Sequence, residues 1–156
     1  MWKKVLLLII FSSFFLNCFN SENPKINNNP PDYIKELVAY KEGYDRLEIY
    51  FILADNYGDM TAQSGVAILT IYLKESGYMY FNKKIYNKNF TISYYDFYKT
   101  RAGRGSFEHE VILYSFGQIK YSYFNHAPKD TETGKIELIF QTIDGRELKA
   151  EETIFF

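Results

Sequence analysis

Residues able to carry out chemistry are few along this 156-residue chain. It has two histidines, His109 and His126, and a single cysteine, Cys18. His109 stands in Glu108-His109-Glu110, a run with the donor types of a metal or acid–base site. On a strand, however, side chains alternate between faces, so both glutamates point away from the imidazole. The trio does not converge on one ion. The spacing predicts instead a hydrogen-bonded imidazole near the core edge, on the face shared with Phe107 and Val111. His126 falls in Asn125-His126-Ala127-Pro128, which has a loop composition. Neither H-E-x-x-H nor G-x-S-x-G occurs. Asp55-Asn56-Tyr57-Gly58-Asp59 gathers oxygen donors as a calcium loop does. It lacks the full acidic pattern and closing Glu of such loops, so a turn is the expectation.

Arg101-Ala102-Gly103-Arg104-Gly105 brings two guanidinium groups close together. Arg suits phosphate and carboxylate partners. Tyr98 lies just before this run, with Tyr94 and Tyr95 upstream. Tyr98–Gly105 reads as the least strand-like stretch of the chain's interior. Arg and Tyr are enriched at binding hot spots, so Tyr98, Arg101 and Arg104 are the expected contact residues for a protein or glycan partner. The tyrosines of this middle region are the candidate platform for a sugar. No motif for a cofactor or a metal is present, and the chain is expected not to be an enzyme. Basic and acidic residues number 18 and 19. That balance gives no support for a nucleic-acid binder, which would show a basic excess. The pattern sets no oligomeric state.

Cys18 takes its meaning from the residues before it. Lys3 and Lys4 form a positive start, and Val5–Leu16 is apolar apart from Ser12 and Ser13. This is the layout of a secretory signal peptide. The run is shorter than the ~20 apolar residues that span a bilayer, although an uncleaved N-terminal anchor is the other reading of it. Phe15-Leu16-Asn17-Cys18 directly follows the apolar run. It resembles the lipobox of bacterial lipoproteins, with Phe15 and Asn17 where that family prefers Leu and a small residue. The resemblance implies cleavage before Cys18, acylation of its thiol, and localisation to the bacterial cell membrane or outer membrane. Without the resemblance, Cys18 is one more apolar residue of an ordinary signal peptide. Two or more acyl chains anchor a protein stably. Cleavage would remove Lys3 and Lys4 and no acid, leaving 16 basic against 19 acidic residues and a net charge of −3. The lipid itself would then have to provide the anchoring.

These features divide the chain into a signal peptide (1–17), a lipidated Cys with its tether (18–32) and a folded domain (33–156). Phe19–Asp32 holds three prolines and five asparagines with little apolar bulk. Such a segment cannot offset the entropy of ordering it. It reads as a flexible spacer about 40 Å long when extended at ~3.1 Å per residue.

The domain that must position any site reads as strands. Tyr (15) and Phe (14) are abundant, and both favour β structure. Period-two alternation marks Arg46–Ala54, Val66–Lys74, Phe107–Tyr114 and Lys135–Ile143. In the third of these, Phe107, Val111 and Leu113 are expected to share the buried face. Weaker candidates are Tyr33–Lys41, Tyr78–Tyr86, Phe90–Tyr94, Ile119–Phe124 and Arg146–Phe156. Asn87-Lys88-Asn89 reads as a break, and Tyr94–Thr100 and Ser115–Ile119 as candidate short turns. Asp144-Gly145 suits a type I′ hairpin. About seven to nine short strands at regular spacing predict an all-β, antiparallel sandwich. Their order resembles immunoglobulin-like and fibronectin-III-like modules, without the cysteine pair or core Trp of antibody domains. A small up-and-down barrel is the alternative.

Overall fold

The computed structural model describes residues 29–75, 77–102 and 109–156. Nine strands run through them: β1 (Tyr33–Glu42), β2 (Arg46–Ala54), β3 (Met60–Thr61), β4 (Gly65–Leu73), β5 (Lys83–Ile92), β6 (Tyr98–Ala102), β7 (His109–Lys120), β8 (Thr133–Thr142) and β9 (Glu147–Phe155). One sheet hydrogen-bonds in the order β1-β2-β7-β6, with β3 added at the end of β2, and the other in the order β5-β4-β8-β9. All ladders are antiparallel. Leaving out the two-residue β3, this is the ABED-against-CFG order of an immunoglobulin-type sandwich, with one further strand beside C. The sheets do not close into a barrel. β1 runs beside β9 at one corner, while β5 and β6 end their sheets at the other.

The core follows from strand alternation. Leu47, Ile49, Phe51 and Leu53 of β2 are fully buried, as are Ala67, Leu69 and Ile71 of β4 and Ile136, Leu138 and Phe140 of β8. Phe51 sits at the centre. Its ring lies 5.8 Å from Phe97, 5.6 Å from Tyr114, 5.7 Å from Phe116 and 5.7 Å from Phe140. These rings pack tilted and edge-on between the sheets.

β7 departs from its expected phase. Tyr114 stands opposite Phe51, so the core face carries Ile112, Tyr114 and Phe116. Val111 and Leu113 turn to the other face, where they form a second small cluster with Ile52 beneath Tyr50 and Met60. The registers Glu48↔Gln118 and Tyr50↔Ser115 leave Phe116 and Gly117 opposite Ile49 alone. This is a β-bulge, and Gly117 has the positive φ (68°) that suits one. The extra residue shifts the phase, so Ile119 returns to the core after the bulge. Ser115–Ile119 is therefore strand rather than turn.

Two other segments are strands against expectation. Asn87-Lys88-Asn89 does not break the chain but continues β5. At the edge of a sheet, polar residues can face solvent, and Asn87 Nδ2 donates to Thr70 Oγ1 across the ladder at 2.7 Å. Tyr98–Ala102 is β6, paired with β7 from Tyr98↔Leu113 to Ala102↔His109.

The β8–β9 hairpin forms at Asp144-Gly145, with a longer loop than the two-residue turn expected. Gly145 N–H donates to Thr142 C=O at 3.0 Å, and Thr142 N–H to Arg146 C=O at 2.9 Å. Gly145 has φ 85°, and no non-glycine among the described residues has positive φ. That is the three-residue loop with Gly in the left-handed position. A Cβ at Gly145 meets nothing within 4 Å, so the backbone alone sets the cost. Gly145→Val is expected to destabilise by about 1–2 kcal/mol, read as a lower urea midpoint. An unmoved midpoint would contradict the loop geometry.

Candidate functional site

The register gives the sandwich two distinct ends. At the N-terminal end, Asp32 N–H donates to Ala54 C=O at 2.8 Å. There Thr61 Oγ1 donates to Asn29 C=O at 2.6 Å, and Arg146 bonds Asp32 at 2.9 Å. The chain thus joins the domain where β2 ends and β8 turns into β9. At the distal end lie the β1–β2 turn, the β4–β5 connection and the long β7–β8 connection. Tyr121 N–H donates to Asp45 C=O at 2.7 Å, and Lys41 pairs with Asp130 at 2.7 Å, tying the first and last of these together.

A groove of ≈ 460 Å³ lies along the edge of β5 beside the β7–β8 connection, lined by Tyr86, Asn87 and Lys88 of β5 and by Tyr123 and Asn125 of that connection. Local structure builds both walls. The 3₁₀ turn Tyr121–Tyr123 follows β7 directly. Phe124 then buries its ring 5.4 Å from Tyr86 and 5.4 Å from Tyr121. Asn125 N–H donates to Ile85 C=O at 2.8 Å, fastening the connection to the edge of β5. Tyr123 is left 65% exposed above the mostly buried Tyr86. Burial pushes the pKa of the Tyr86 hydroxyl up, and the facing Tyr123 adds to the shift. Lys88 extends its ammonium over the Phe90 ring at 5.0 Å. Asn87 turns its side chain to the face opposite Tyr86 and Lys88, where it bonds Thr70, so the side chains of the lining offer two phenols, one carboxamide and one cation, and no carboxylate among the described residues.

A larger groove of ≈ 550 Å³ lies at the N-terminal end, between the ends of β4, β5 and β8 and the β8–β9 turn. Among the described residues no aromatic ring or cation lines it, and it includes Glu147. It offers fewer chemically distinctive groups than the tyrosine groove.

The residues singled out from the sequence fall elsewhere. Tyr98 and Arg101 both lie on β6 and are both exposed. Tyr98 stands opposite Leu113 and Arg101 opposite Glu110, which places them on opposite faces of the strand. They do not form one patch. Arg104 and Cys18 lie outside the described residues, as do Phe107 and Glu108. Tyr94 and Tyr95 belong to the 3₁₀ turn Tyr94–Asp96, capped by Ser93. Their rings meet at 88°, with centroids 5.5 Å apart, which is not a flat strip. His109 shares its face with Val111 as expected, but that face is the outer one, and His109 is exposed. His126 is half-buried in the β7–β8 connection. Asp55 is fully buried. Its Oδ1 accepts the Tyr57 and Asp59 N–H groups, each at 3.0 Å, and its Oδ2 accepts Asn29 Nδ2 at 2.8 Å. The carboxylate organises its own turn.

The tyrosine groove had no single signal in the sequence. Asn87 and Asn125 read as break and loop, and Tyr86 and Tyr123 stand far apart along the chain, with β6 and β7 between them. The one available hint was the lysine-bearing run Lys83–Lys88, which has no acid within it. Comparison of the chain with protein-family models, with curated proteins and with solved structures finds no match.

Proposed function

We propose that the chain is an exported envelope lipoprotein. It is anchored to the bacterial cell membrane or outer membrane through lipid on Cys18, and its sandwich serves as a non-enzymatic interaction module. The observation that carries the reading is the polarity of the domain. The chain joins the sandwich at one end, and the β7–β8 connection that walls the tyrosine groove leaves β7 at the other. A module tethered through that first end, on a spacer up to about 40 Å long, would leave the groove free to meet a partner beyond the bilayer surface. The non-enzymatic part of the reading draws on the scatter of the polar groups weighed for catalysis. His109 is exposed on an outer face, and Asp55 is spent on its own loop.

Cell fractionation tests the anchor. The protein is expected in the membrane fraction, released by detergent and retained through washing with concentrated salt, because the mature charge of −3 offers no electrostatic grip on anionic lipid. Release by salt alone, or a fully soluble pool, would overturn the reading. The second reading is a carbohydrate- or ligand-binding domain. The groove's phenols and the Asn125 carboxamide favour it.

A further inference from the structure

We infer that the groove between β5 and the Tyr121–Asn125 segment binds an oligosaccharide that carries an anionic group. The inference deepens the interaction-module reading by naming the ligand of that module.

The composition of the groove selects the ligand class. A pyranose ring presents an apolar face of C–H groups and an edge of hydroxyls. Tyr123, 65% exposed at the groove's lip, offers a rigid aromatic surface of the kind that packs against such a face at low entropic cost. The Asn125 carboxamide combines donor and acceptor atoms, which suits paired hydroxyls. The Tyr86 hydroxyl adds a donor.

Charge selects the anionic member of that class. Lys88 lines the groove, and β5 contains no Asp or Glu. A carboxylate-bearing sugar would place its charge beside Lys88 without meeting a like charge in the described lining.

Other ligand classes fit less well. Asn125 and Lys88 bring an amide and an ammonium group to the lining, which disfavours a purely apolar ligand. A peptide adding itself as a strand would need the backbone edge of β5. Asn125 N–H already occupies the Ile85 carbonyl there, at 2.8 Å, and its segment covers that part of the edge.

The test uses the full chain, purified in a detergent without a sugar headgroup. The protein is applied to an array of neutral oligosaccharides and of uronate- or sialate-bearing ones. The strongest acidic binder is then titrated calorimetrically against wild type, Tyr123→Ala, Lys88→Gln and, as a control at the other end of the sandwich, Tyr95→Ala. The expected result is binding to acidic in preference to neutral oligosaccharides. Tyr123→Ala is expected to weaken it about tenfold or more and Lys88→Gln about threefold or more, as at other hot spots, with Tyr95→Ala unchanged. All three side chains are exposed, so melting temperatures should stay level. An empty array, equal binding of neutral and acidic sugars, or full affinity in Tyr123→Ala would each overturn the inference. Detergent-dependent membrane retention of the same protein is read separately. A failed array with retention intact therefore removes the ligand and leaves the anchor.

Discussion

Replacing Cys18 with Ala is expected to abolish incorporation of a fatty-acid analogue and to leave a longer chain. In the lipoprotein route that Phe15-Leu16-Asn17-Cys18 resembles, the thiol accepts the lipid, and cleavage before it follows. Alanine has no nucleophile, so both events stop together. The wild-type protein should run as a labelled band shorter than the 156-residue chain by the 17 residues before Cys18. The variant should run longer and unlabelled. The effect is all or none, because acylation has no second cysteine to use. Unchanged labelling of the variant would remove the lipid from Cys18. An unlabelled wild type would return Cys18 to being an apolar residue of an ordinary signal.

The second large effect is on the fold. Phe51→Ala is expected to destabilise the domain by about 3–5 kcal/mol. Phe51 is fully buried and packs against Phe97, Tyr114, Phe116 and Phe140. These rings come from both sheets and from the turn before β6, so no single one can move into the vacated space without leaving another. Phe155→Ala provides the contrast. That ring is 75% exposed near the C-terminus, and its loss should cost no more than about 0.5 kcal/mol. Urea denaturation of both variants reads the difference. A loss below about 1.5 kcal/mol for Phe51→Ala would mean that the core collapses around the gap, or that Phe51 is not its centre.

The way Phe51 was found indicates what the sequence can reveal. β2, β4 and β8 each keep one phase along their length, and each is covered on one face by the opposite sheet. Alternation alone placed their ends to within about two residues, and with them the sandwich. β7 keeps no single phase, because Phe116 and Gly117 share one position opposite Ile49. A bulge looks like a turn in the sequence until the partner strand is known, since Gly suits both. Asn87–Asn89 and Tyr98–Ala102 lack a strand signal for a different reason. They lie on edge strands, where half of the backbone and most side chains face solvent, so the residue types resemble those of loops. The candidate groove is built from one such edge and from a connection that crosses to it. Its walls are brought together by Phe124 packing on Tyr86 and by the Asn125–Ile85 hydrogen bond. Neither contact has a local pattern in the chain. Tyr98 and Arg101, close in sequence, face opposite ways on β6, whereas Tyr86 and Tyr123, far apart in sequence, line one groove.

The central claim is a lipid-anchored module whose mature chain begins at Cys18, and the mass of its N-terminal peptide tests it most directly. Protein extracted from native membranes is digested, and the first peptide is identified by mass spectrometry. The account predicts a peptide that starts at Cys18 and carries at least two acyl chains, the number that makes anchoring stable. An unmodified peptide containing Cys18, or one that extends back through Leu16 and Asn17, would contradict it.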